Sequence, residues 1–117
     1  MIRKLKDVFK KQNQEDRLEE MSSLEPYETD LPFKIVFLPK SGNEKHWARI
    51  KVVINNSYVP LTISDNPEWK GDIPNNISSK DLHKVEEWVV THKKALLDHW
   101  NHKISDFQLF RIVTGQD

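Results

Sequence analysis

Residues 46–54, His46-Trp47-Ala48-Arg49-Ile50-Lys51-Val52-Val53-Ile54, constrain this chain more than any other stretch. Ala48, Ile50, Val52 and Ile54 alternate with Trp47, Arg49, Lys51 and Val53. A period of two with one charged side predicts a strand buried on one face only, the mark of an antiparallel sheet. Asn55-Asn56-Ser57 follows, and asparagine tolerates the positive φ of a tight hairpin. The return strand is then Tyr58-Val59-Pro60-Leu61-Thr62-Ile63, with Pro60, which has no N–H to donate, marking an edge or a bulge. Upstream, Phe33-Lys34-Ile35-Val36-Phe37-Leu38 is rich in β-branched and aromatic residues and stops at Pro39, which predicts a third strand.

Residues 64–77 carry three turn signals, Ser64-Asp65-Asn66-Pro67, Gly71 and Pro74-Asn75-Asn76. Trp69 within this loop is a candidate binding handle, weighed against a favoured alternative in which it pins the loop onto the core. One long helix is expected next, from an N-cap at Ser78 or Ser79 to about Lys103. Leu82, Val85, Val89, His92, Leu96 and His99 form its apolar stripe, and Lys80, Lys84, Glu87, Lys94 and Asp98 its solvated side. Phe107, Leu109, Phe110 and Ile112 suggest a short last strand or an extended cover for the core, ahead of a tail over residues 114–117.

The amino-terminal stretch differs in character. Residues 1–11 hold five bases against one acid, and residues 12–30 hold seven acids against one base. Ile2, Leu5, Val8 and Phe9 recur at helical spacing, which predicts an amphipathic helical segment for a partner groove, a membrane surface or the protein's own sheet. Residues 22–32 read as a linker, because two prolines and clustered acids oppose both helix and strand. The expected organisation is a segment at 1–32, a domain at 33–113 and a tail at 114–117.

Composition removes several classes of function. The 117 residues include no cysteine, so there is no disulfide, thiolate metal site or cysteine nucleophile. The longest apolar run is Ile35-Val36-Phe37-Leu38, far short of the roughly 20 residues a membrane span needs, and no apolar stretch follows the basic start as a secretory signal would require. A cytoplasmic protein is the simplest expectation. Eighteen bases balance eighteen acids, which opposes a dedicated nucleic-acid binder. The three glycines form no phosphate loop, and no serine sits in a nucleophile elbow. Among the five histidines, His99 and His102 lie three apart, but no carboxylate pair joins them at metal-ligand spacing, so neither a metal nor a cofactor is expected. His92 reads as a core histidine, and His46 as a residue that shapes the start of its strand.

The order Leu61-Thr62-Ile63-Ser64-Asp65, Gly71-Asp72-Ile73-Pro74, Trp88, His92, Leu96-Leu97 and Trp100-Asn101 resembles a small bacterial family, domain of unknown function 4160. The likeness spans about His46 to His102. That family begins with a histidine–any–histidine pair; His46 matches its first position and Ala48 stands at its second. The resemblance implies a strand pair followed by a helix, and a partner encoded by a neighbouring gene in a toxin–antitoxin-like arrangement. It implies no catalytic residue.

These readings converge on an α+β domain, an antiparallel three-stranded meander packed on one long C-terminal helix. The function expected is a non-catalytic protein-interaction module, acting through an exposed sheet edge or through Ile2, Leu5, Phe9 and Trp69. The alternative is an RNA-directed toxin, a nuclease or translation blocker, that stacks bases on Trp47 beside Arg49 and Lys51. An ordinary solvated strand face is the plainer account of those three residues.

Overall fold

Two apolar rows cross the sheet and explain its register. Leu24, Ile35, Val52 and Val59 stand side by side over four strands, and Phe37, Ile50 and Leu61 over three. In the computed structural model, which describes residues 22–38 and 47–115, all seven are buried. The strands are β1 (Ser23–Leu24), β2 (Lys34–Phe37), β3 (Arg49–Ile54) and β4 (Ser57–Thr62), antiparallel and in the order β1-β2-β3-β4. Period-two alternation puts Val36, Lys51 and Pro60 on the opposite side, in one register row with Ser23. The β3–β4 hairpin turns on Asn55 and Asn56, with φ of 49° and 67°, the geometry a two-residue turn demands of both positions.

Among the described residues four helices accompany the sheet: α1 (Pro26–Thr29), α2 (Ser79–Thr91), α3 (Lys93–Trp100) and α4 (Asp106–Val113). Phe37 is where the last three meet. Its ring centroid lies 6.3 Å from Trp88 on α2, 6.2 Å from His99 on α3 and 5.7 Å from Phe110 on α4. Val85, Val89, Leu96, Leu109 and Val113 complete the helical side of the same core.

The α+β class and the antiparallel sheet stand as expected, and three details are corrected. First, the meander has four strands among the described residues. The stretch read as a linker supplies β1 and α1, and its Leu24 and Leu31 are core residues. Pro26 stops neither element, because it sits at the first turn of α1, where its missing N–H has no helical partner to lose. Second, the long helix is two helices. His92, at φ −106° and ψ 19°, interrupts it after the β-branched run Val89-Val90-Thr91. The interruption is one residue wide, since His92 N still donates to Trp88 O (3.0 Å) and Leu96 N to His92 O (2.9 Å). Third, the segment around Phe107–Ile112 is helix α4. Ser105 and Gln108 form a reciprocal capping box, and Leu109 and Val113, one turn apart, face inward.

Candidate functional site

The end of the sheet where β3 begins and β4 finishes carries an exposed tryptophan beside an open groove. Thr62 pairs with Glu68 in both directions. Its N–H donates to Glu68 O (3.0 Å) and its hydroxyl accepts from Glu68 N (2.8 Å), which closes the intervening turn. Lys70 N donates to Pro60 O, and Trp69 bridges Leu61, so residues 68–70 run beside β4 as a short false strand. Above this lies a groove of about 370 Å³ lined by Trp47, Thr62, Ser64, Asn66, Glu68 and Lys70. Trp47 is 66% exposed on its wall. The Lys70 ammonium sits 4.7 Å from the Trp47 ring centroid and 2.7 Å from the Glu68 carboxylate. That ion pair holds the Glu68 carboxyl below its ordinary pKa.

Arg49 and Lys51 share the side of β3 away from the core, as period two requires. They do not form one platform with Trp47. Arg49 Nη1 donates to Trp47 O (3.2 Å), while its guanidinium carbon lies 5.4 Å from the Trp100 ring. Lys51 stands opposite Pro60, two residues farther along the strand. The cation over Trp47 is Lys70, from a loop that strand periodicity does not register.

Trp69 is half-buried against the core, and its indole N–H donates to Glu86 Oε2 on α2 (2.7 Å). It fastens the loop to the helix layer, the favoured of its two sequence readings. The same loop occupies backbone groups of β4 at Pro60 and Thr62, so that half of the sheet edge is already taken. Ile2, Leu5, Phe9 and His46 lie outside the described residues.

A second polar constellation joins distant parts of the chain. Ser22 Oγ donates to Asp106 Oδ2 (2.9 Å), and the other oxygen of Asp106 is hydrogen-bonded to His99 Nε2. Serine, aspartate and histidine are all present, yet the order is wrong for a nucleophile. A base must take the proton of the serine hydroxyl, and here that hydroxyl faces the carboxylate instead of the imidazole. With His99 only 4% exposed, the trio is a clasp tying the start of β1 to α3 and α4. His92, at the break between α2 and α3, lies with its ring 5.1 Å from that of Trp88, and burial holds its pKa below the ordinary histidine value. Among the described residues no group of three or more histidine, aspartate or glutamate side chains is placed to hold a metal ion.

Sequence reasoning missed Tyr27 and Phe107, the most exposed large aromatics among the described residues, at 83% and 69%. Tyr27 lies in the supposed linker and Phe107 in the supposed strand, so neither had a helical face to be assigned to. Compared with family models, curated proteins and solved structures, the chain matches none. Among the described residues no helix is long and apolar enough to cross a membrane.

Proposed function

We propose that this chain is a non-catalytic protein-interaction module whose partner, a small protein encoded by a neighbouring gene in a toxin–antitoxin-like pair, seats on Trp47. The observation that carries the reading is a mostly exposed tryptophan with a cation over its ring, beside a polar-rimmed groove. Lys70 covers part of its ring, and Arg49 grips its backbone carbonyl. An aromatic anchor of large area rimmed by charge is the usual make-up of an interface hot spot. The neighbouring-gene partner comes from the sequence resemblance of about residues 46–102 to domain of unknown function 4160 alone, and no family model matches the chain. The test is co-expression with the neighbouring gene product, followed by size exclusion. A complex of equal stoichiometry that Trp47→Ala weakens at least tenfold is expected. A complex indifferent to Trp47→Ala, or none at micromolar concentration, refutes the reading.

A second reading is favoured by the two cations beside Trp47, Lys70 at its ring and Arg49 at its backbone carbonyl. Lys70 over Trp47 and Arg49 beneath its carbonyl suit a stacked base with its phosphate, as an RNA-directed toxin would require. Fluorescence anisotropy with a labelled single-stranded RNA separates the readings. Salt-sensitive binding lost in both Trp47→Ala and Lys70→Ala selects RNA, and unchanged anisotropy removes it.

A further inference from the structure

A groove of about 450 Å³ runs between α1 and α4, well away in sequence from the Trp47 end. Its floor is Leu24 and Phe110, and its rims are Tyr27 with Glu28 on α1 and Phe107 with Arg111 on α4. Both rim aromatics are mostly exposed, and Glu28 and Arg111 are exposed beside them. Arg111 lies with its guanidinium carbon 5.7 Å from the Phe107 ring centroid, so a base stands on the α4 rim. Glu28 Oε1 accepts from Glu25 N (2.7 Å), which fixes an acid on the α1 rim. The groove is therefore apolar along its floor, acidic on one bank and basic on the other.

We infer that this groove is a self-association surface, and that its occupant is the same groove of a second copy of the chain, related by a two-fold axis. The argument is charge complementarity. A two-fold axis lying in the interface along the groove swaps the banks, bringing each Glu28 to the other copy's Arg111 and each Tyr27 to the other copy's Phe107. A uniformly basic or acidic partner would satisfy one bank and repel the other, whereas a second copy satisfies both. The balanced total charge, eighteen bases and eighteen acids, adds no long-range repulsion between copies. The surface is small, so the dimer is weak and concentration-dependent.

The experiment is sedimentation equilibrium of the full chain from low micromolar to millimolar concentration, with two charge reversals, Glu28→Arg and Arg111→Glu. The wild type is expected to shift from monomer to dimer. Each reversal alone places like charges across the axis and is expected to stay monomeric. An equimolar mixture of the two is expected to regain the dimer, because each variant supplies the charge the other needs. Glu28→Gln, which keeps a side-chain acceptor for Glu25 N, tests the charge without removing the cap. It is expected to weaken association while leaving the circular dichroism melt unchanged. A wild type monomeric throughout, reversals that dimerise like wild type, or a mixture that stays monomeric overturns the inference.

Discussion

Asp106 bonds at once to a residue 84 positions earlier in the chain and to one seven positions earlier, so its removal reaches farther than one helix start. Asp106→Ala leaves the buried His99 without its partner, and a stability loss of about 2 kcal/mol is expected. Ser22→Ala removes only the other bond and is expected to cost about 1 kcal/mol. Urea denaturation of both variants checks the ordering, and equal losses would show that the two bonds are not independent arms of the clasp. Local chemistry at this scale was legible in advance. The positive φ of Asn55 and Asn56, the edge position of Pro60 and the cap at Ser78, whose oxygen accepts from Asp81 N (3.2 Å), all follow from residue type. The clasp was not legible, because a bond between Ser22 and Asp106 leaves no trace in the sequence around either.

The helical stripe from Leu82 to His99 predicted one rod, and it is the phase of that stripe that survives the break at His92. A one-residue interruption shifts the face too little to expose Leu96 or His99, so periodicity could not reveal it. At α4 the cap carries the signal, since Ser105 followed by Gln108 marks a helix start before Phe107. The element scale also sets a pH dependence. Burial lowers the His92 pKa, so the unfolded chain takes up a proton near the ordinary value, about 6.5, before the folded chain does. Stability on this account is complete above that pH, falls as pH drops below it, and levels off beneath the folded value. His92→Gln is expected to flatten the decline in urea midpoint between neutral and mildly acidic pH. A variant with the same decline as wild type would assign the dependence elsewhere.

At the scale of the whole molecule, the sheet-and-helix architecture was legible, because alternation over β3 and the stripe over α2 and α3 each span many residues. The domain's beginning was not. A two-residue strand has no period to detect, and the acids and prolines of residues 25–32 outweigh Leu24 and Leu31 in any local average. Both leucines nonetheless fill the common core. Leu24→Ala and Leu31→Ala are each expected to cost about 2–4 kcal/mol, as truncations in a packed interior do. Losses within ~0.5 kcal/mol in chemical denaturation would restore the linker reading, since that is the range of surface changes. The Trp69 loop carries a consequence of another kind. A bare edge strand is a template on which other chains can grow β-sheet without limit, and proteins blunt such edges with proline or with a covering segment. β4 uses both, and the cover is held down by the bonds of Glu68 and Lys70 to Thr62 and Pro60 together with the Trp69 indole hydrogen bond to Glu86. Detaching residues 68–70 would leave the fold's apolar rows in place while uncovering Pro60–Thr62, so a small local lesion would be read out as fibrillar aggregation instead of unfolding.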